Sequence, residues 1–420
     1  EAWRDDLEFF LGPDRVVYLP PHDAVPWSAQ VATGPVRDDR ITAMLRLGDP
    51  NPPIAVIPAA SLSRLAPESS LVRSRVVTLA PGVEIAPETL LHRLVTAAYR
   101  SVAEVGEMGE VSRRGGLVDV FGPGMAQPVR VEFDGDTVAT MRSFDVSTQR
   151  STGPVERVRV APAREIVFAE DLDERMRPLD RLEAAGDLEW SRIRDLVREG
   201  VYFEGFDWLA PLLGIPLVSL LEYLPEGAAL WIDEPEAVER EIETSDRETE
   251  RLEPDARKRA PHLPERDLLF DPPERVLGRL DRFARVEASL GVRAGARETA
   301  ITLDARPQPS FGRKLDLMRG ELRRLADSGY KRVIVCDNRG QAERLEEILG
   351  DGVVSVDVGS LTGGFELPPA RLAVFTDHEI FARYRRRLGR RARASKATLR
   401  ALMTLEPGRH VVHLDHGIGI

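Results

Sequence analysis

The stretch Val129-Arg130-Val131-Glu132-Phe133 alternates apolar and charged side chains, meets Asp134-Gly135, and continues from Asp136 to Arg142. Side chains on a strand point alternately to its two faces, so this pattern predicts a sheet buried on one side only. An Asp-Gly pair between two such runs predicts a two-residue hairpin, because glycine readily takes the positive φ the turn demands. The register then puts Val129, Val131 and Val138 on one face, and Arg130, Glu132 and Met141 on the other. Phe133 falls with Val129 and Val131, under the sheet. A helical stretch carrying Leu90, Leu91, Leu94, Val95 and Ala98 comes before it, and residues 74–162 read as a mixed α+β domain.

The flanking sequence has a different rhythm. In residues 1–73, Trp3, Leu7, Phe10 and Leu11 share one helical face, and Gly12-Pro13 ends that helix. Val16 to Leu19 and Ile54 to Ile57 read as strands around a helix carrying Ile41, Met44 and Leu45, which predicts a parallel sheet. Residues 163–293 read as mostly helical and charged, with one strand at Ala229 to Ile232 and a solvated helix plus linker over 237–266. Residues 297–382 repeat the α/β rhythm, with helices marked by Leu315, Met318, Leu322 and Leu325 and by Ala342, Leu345 and Leu349. Strands are predicted there at Val333 to Cys336 and Leu372 to Phe375. Residues 383–404 read as a basic linker, and 405–420 as the first strand of a small β module. The chain as a whole reads as a multi-domain α/β protein. Its 420 residues fit about three domains. It begins inside a helical pattern and ends in what reads as mid-strand or mid-turn, so it is taken as a fragment of something longer.

A net charge of −11 argues against the whole chain wrapping DNA by bulk electrostatics, while leaving room for local basic patches. Cys336 is the only cysteine, which excludes an intrachain disulfide and a cysteine-rich zinc site. It follows Val333-Ile334-Val335 and reads as a buried structural thiol. There is no apolar run near 18 residues and no signal peptide at the start, so no membrane role and a cytoplasmic location are expected.

Each candidate site competes with a plainer reading. No stretch matches Gly-x-x-x-x-Gly-Lys-Ser/Thr, the loop that cradles nucleotide phosphates. Asp233 and Glu234 end the strand at Trp231-Ile232 like the acidic pair that orients magnesium in helicase-type ATPases. Without a phosphate loop they lose most of the electrostatic clamp on a nucleotide, and a degenerate site is expected. His410, His413 and His416 suggest a metal, but alternation puts His410 and His413 on opposite faces of a strand, and no metal is expected. Nine Lys or Arg and no acid lie between Arg383 and Arg400. Arg385, Arg386, Arg387, Arg390 and Arg391 there could touch nucleic acid, with a connector as the preferred reading. Gly363-Gly364 reads as a turn. Arg113-Arg114 and Arg130 place guanidinium groups on a small sheet, where Arg suits a protein interface because its planar fork pairs with carboxylates.

Three linked motifs sharpen that last reading: Gly109-Glu110-Val111-Ser112-Arg113-Arg114-Gly115-Gly116-Leu117-Val118-Asp119-Val120-Phe121, Pro128 to Phe133, and Phe144-Asp145-Val146-Ser147-Thr148-Gln149-Arg150. Together they resemble the UvrA-binding domain of the UvrB and transcription-repair coupling factor (Mfd) families. Tyr223-Leu224-Pro225 with Trp231 to Glu234 is similar to the next UvrB-like segment. Phe365 to Pro368 with Leu372 to Phe381 resembles the segment before the coupling factors' polymerase-interaction domain. Pro407 to Gly419 resembles the opening of that domain, shared with CarD-type regulators. Tyr18-Leu19-Pro20-Pro21 passes through a short connection to the helix at 37–47, leaving no room for UvrB's DNA-clamping hairpin, so the coupling factors fit better than UvrB.

The resemblance implies a UvrB-like, RecA-like α/β domain formed by 1–73 and 163–293, interrupted by the UvrA-binding domain at 74–162. A small α/β domain (297–382) and the start of a truncated CarD-like β-barrel follow. It implies that Arg114, Arg130 and Phe133 serve UvrA binding, and that Asp134 stands where the family often has a second aromatic. It further implies a longer protein that binds stalled RNA polymerase and DNA, with ATP and magnesium used by motor domains outside this chain. The chain itself is then a recruiting and autoinhibitory part without cofactor or catalysis. The alternatives are a UvrB-type ATP-dependent damage-binding subunit and a CarD-like transcription regulator. At this level Arg130→Ala is expected to abolish UvrA binding and leave the thermal midpoint nearly unchanged.

Overall fold

The computed structural model describes residues 1–24, 26–27, 34–182, 188–203, 205–260, 263–290, 300–312, 314–350 and 354–381, with the backbone of 411–413 and 417–419. The chain divides into two compact units: 1–18, 53–56 and 288–390 in one, and 19–52, 57–287 and 391–420 in the other.

The first unit holds a five-stranded sheet in the order Arg306–Pro307, Phe365–Leu367, Leu372–Thr376, Lys331–Cys336, Ser355–Val358. The last three strands run parallel, in keeping with the alternating strand and helix signals. Helices Leu315–Asp327 and Arg339–Leu349 bury Met318, Leu322, Leu325, Ala342 and Leu345 against Ile334, Cys336, Ala373 and Phe375. Cys336 is fully buried, and burial pushes its thiol up to about 12, so it stays a protonated core residue. The Gly363-Gly364 turn is held by Glu379, whose carboxylate accepts from the amides of Gly364 (2.7 Å) and Thr376 (3.0 Å).

The first helix, Ala2–Leu11, is rotated relative to expectation. Asp6 accepts from the Thr362 amide at 2.6 Å, and Phe9 packs beside Val335, Leu361 and Val374. Trp3, Phe10 and Leu11 are left 47%, 58% and 45% exposed. Adjacent phenylalanines gave the apolar spacing no means of telling which one anchors the helix. Val16–Tyr18 pairs in parallel with Ile54–Val56, as the strand reading required.

The second unit contains a six-stranded sheet ordered Ser151–Pro154, Thr137–Phe144, Val129–Asp134, Leu117–Phe121, Glu110–Arg114, Arg100–Ser101. Helix Pro87–Thr96 covers one face, where Leu90 and Leu94 meet Val111, Val118, Val120, Val129, Val131, Val138 and Met141. Both tight hairpins turn at a glycine: Arg114 pairs with Leu117 around Gly115 (φ 60°), and Asp134 pairs with Thr137 around Gly135 (φ 58°). The turn residues are thus Gly135-Asp136 rather than Asp134-Gly135. Glycine takes the first central position, the only one of the two with positive φ, as a type II′ turn requires.

The expected facing of Met141 is also corrected. A register shift after Glu132 leaves both Ala139 and Thr140 exposed, and Met141 pairs with Val131 in the core. One extra residue in a bulge inverts the alternation beyond it. Elsewhere in this unit, helix Pro235–Arg259 buries Pro235, Ile242, Thr249 and Ala256, every seventh residue, and is otherwise largely solvated. Trp27, Trp208 and Phe270 form an aromatic cluster, with Trp27 donating to the Thr249 carbonyl at 3.2 Å. No helix among the described residues is long and apolar enough to cross a membrane. Val411–His413 and Gly417–Gly419 pair antiparallel.

Candidate protein-interaction surface

The sheet face turned away from helix Pro87–Thr96 gathers the three sequence motifs. Cross-strand pairing sets Ser112 beside Asp119, Asp119 beside Arg130, and Arg130 beside Arg142. Asp119 is the centre of this row. Its carboxylate accepts from Arg130 Nε and Nη2, both at 2.8 Å, and from Arg114 Nη2 at 2.9 Å. The Asp119 side chain is 2% exposed, while Arg130 is 17% and Arg114 is 44% exposed. The Arg130 guanidinium also lies 4.7 Å from the Phe144 ring centroid, and its pKa is held above the ordinary arginine value by the bonds to Asp119.

Phe144 is buried with Val105 and Phe121 in a small core beneath this face. The motif from Phe144 to Arg150 closes as a tight turn. Asp145 Oδ1 accepts from the amides of Ser147 (3.1 Å) and Thr148 (2.8 Å), and Gln149 Nε2 donates to Val105 and Val146 carbonyls, both at 3.0 Å. The motifs therefore come together in space as one framework: a buried acid, a bidentate arginine over an aromatic ring, and a turn that closes beside it. A bidentate Arg–carboxylate pair fixes geometry as well as energy.

Arg114 and Arg130 share this face, but Phe133 does not. It is partly buried on the opposite face, against the core beneath the helix. Arg113 points the same way as Phe133 and pairs with Glu88 on that helix. Sequence reasoning passed over Asp119. Its signal was an acid between two buried valines, a place where carboxylates are rare unless paired.

The remaining sequence candidates scatter. Asp233 ends strand Ala229–Asp233 in an exposed position, and Glu234 occupies the position just before helix Pro235–Arg259 with φ 51°, without a side-chain capping bond. Arg385, Arg386, Arg387, Arg390 and Arg391 lie outside the described residues, as do the side chains of His410, His413 and His416. Among the described residues, Asp337, Asp377 and His378 bring possible metal-ligand atoms within 4.8 Å of one another. His378 Nε2 lies 3.1 Å from an Asp337 carboxylate oxygen and 3.7 Å from one of Asp377.

A second charged cluster, unsuspected from the sequence, lies elsewhere in the same unit. Arg40 (1% exposed) donates to Glu165 at 2.6 and 3.1 Å and to the Pro20 carbonyl at 2.7 Å. His22 lies 3.6 Å from Glu165. Burial, then repulsion from Arg64 and Arg40, lowers His22 to about 4, against the opposing pull of Glu165. Burial alone would raise Glu165, but Arg40 and His22 outweigh it and hold the carboxyl well below its ordinary value.

His22 makes stability depend on pH. Its folded pKa lies below its unfolded one, so between about pH 4 and 6.5 the unfolded chain binds the extra proton. Stability is therefore expected to fall on acidification through that window, by up to about 3 kcal/mol from this residue. Denaturant melts at stepped pH check this, with His22→Gln flattening the profile. An unchanged slope in that variant would remove His22 as the cause.

Residues 77–166, which contain the face just described, match the family model of the UvrB interaction domain. The chain is similar along its length to proteins named transcription-repair-coupling factor. It is 28% identical to that of Myxococcus xanthus, aligned over 100% of this chain and 39% of the relative. It is 25% identical to that of Bacillus subtilis and 23% identical to that of Staphylococcus haemolyticus, each over 99% of this chain and 38% of the relative. The chain thus spans well under half the length of these relatives, matching their N-terminal part.

Proposed function

We propose that this chain is the UvrA-recruiting module of a transcription-repair coupling factor, and that its sheet face around Arg114 and Arg130 is the docking surface. The observation that carries the reading is the convergence of both arginines on buried Asp119, inside the segment that matches the UvrB interaction domain. Asp119 preorganises them, so little side-chain freedom is lost when an acidic partner arrives. Arg114, half exposed, is the contact residue, and Arg130 is mainly the support that holds the face in shape. In the whole protein, this module brings UvrA to RNA polymerase stalled at a lesion, in the cytoplasm. In the resting state it packs against the motor region, which keeps the UvrA surface covered. Isothermal titration of this chain into purified UvrA is expected to give saturable binding. Absence of binding at micromolar concentrations would overturn the assignment.

The chain acts without nucleotide in this reading. Support comes from the lack of a phosphate-loop sequence and from the exposed strand-end position of Asp233. Calorimetry with ATP and magnesium is expected to reveal no micromolar site. Saturable turnover abolished by Asp233→Asn would instead favour a UvrB-type ATPase.

A further inference from the structure

We propose that the cleft lined by His22, Arg37, Arg64, Arg164, Glu165 and Asp207 binds a single oxyanion, either inorganic phosphate or the terminal phosphoryl group of a larger molecule. This site is separate in chemistry and residues from the Arg114 and Arg130 face, and stands or falls independently of UvrA binding.

The argument is one of uncompensated charge. Glu165 is already engaged by Arg40 through two hydrogen bonds, so its charge is spoken for. Three guanidinium groups remain, those of Arg37, Arg64 and Arg164, with Asp207 as the one other carboxylate lining the cleft. The ion pair from Arg164 to Asp207 is long, at 3.9 Å. Arg37 makes no hydrogen bond or ion pair among the described residues, and its Nε is buried without a partner. Asp207, then Asp23 and Glu107, act on it only as further charges, against the repulsion of Arg164. Arg64 lies 4.2 Å over the Trp208 ring, which offers a face but no acceptor. Burial draws the Arg64 guanidinium down to about 10, far for a group that ordinarily resists any shift.

Guanidinium groups left buried without counter-charge are costly, and water solvates them without cancelling the excess. A tetrahedral oxyanion cancels charge and accepts the fork of donors that guanidinium presents. The cleft is small and only partly open, so it suits one such group rather than a whole nucleotide. Asp207 and Glu165 oppose any anion, but three arginines that share Asp207 as the one lining carboxylate left to them outweigh it.

The test uses the full chain, with inorganic phosphate as the probe against chloride at matched ionic strength. Phosphate is expected to raise the thermal midpoint saturably, as a ligand of the folded state must. Arg37→Gln is expected to weaken phosphate binding roughly tenfold or more by calorimetry. In chloride alone that variant melts no lower than the parent, since it loses an uncompensated charge rather than a contact. Arg164→Gln gives the same loss of phosphate response, and Arg93→Gln, at an exposed position on helix Pro87–Thr96, leaves it intact. An ADP arm separates the sources: tighter binding than phosphate identifies a phosphoryl end, and equal or weaker binding identifies the free anion. Phosphate acting no differently from chloride would overturn the proposal, as would an Arg37→Gln chain that keeps its phosphate affinity within about twofold.

Discussion

Arg130→Ala is expected to lower the stability of the six-stranded sheet by about 3 kcal/mol as well as to weaken UvrA binding. The reason is Asp119, whose carboxylate is 2% exposed and takes two of its three arginine hydrogen bonds from Arg130. Removing one partner of a buried pair leaves a charge with no adequate solvent, at a typical cost of about 3–5 kcal/mol. Arg114 remains and offsets part of this, though it is half exposed and supplies one bond. The stem of Arg130 also leaves the Phe144 ring. Thermal and denaturant melts are expected to show the loss, and Asp119→Asn in the same chain to reduce it, because the stranded charge is gone. A midpoint for Arg130→Ala equal to that of the parent would restore the sequence-based view of Arg130 as a plain surface contact.

Arg40→Ala is expected to be at least as damaging, at about 3–5 kcal/mol. Both members of its pair are nearly inaccessible, with Arg40 1% and Glu165 7% exposed. Glu165 would keep only His22, at 3.6 Å. Loss of Arg40 removes one of the charges that repel a proton from His22, so the imidazole is expected to titrate higher in the variant. The acid end of the window then moves up toward 6.5, so the part of the acid-dependent loss that comes from His22 is expected to shrink. A loss below about 1 kcal/mol would mean that water reaches Glu165 and screens it as at a surface.

The legible parts of the fold were those governed by short-range periodicity. Helix Leu315–Asp327, strand Lys331–Cys336, the 137–144 return strand and buried Cys336 follow from patterns that span one element. The hairpin was visible too, but its turn lay one residue further on, since Asp-Gly marks a turn without fixing which of its positions glycine fills. Met141 was misplaced because a bulge at Ala139 and Thr140 leaves no mark in the alternation itself. Arg114 and Arg130 could be singled out from motifs, whereas their dependence on Asp119 requires knowing which strands are neighbours. The Arg40–Glu165 pair joins positions 125 apart in sequence, and the cleft beside it draws on five separate segments. No local pattern carries that information.

Arg114 offers the cleanest probe of the docking surface, because it is 44% exposed and Asp119 keeps Arg130 when it is gone. The decisive measurement is the affinity of Arg114→Ala for UvrA by titration calorimetry, with the thermal midpoint recorded on the same sample. The expected result is a loss of about 2 kcal/mol or more in binding, roughly 30-fold, with the midpoint close to that of the parent. A correctly folded Arg114→Ala chain that binds UvrA within about twofold of the parent would place the interface elsewhere.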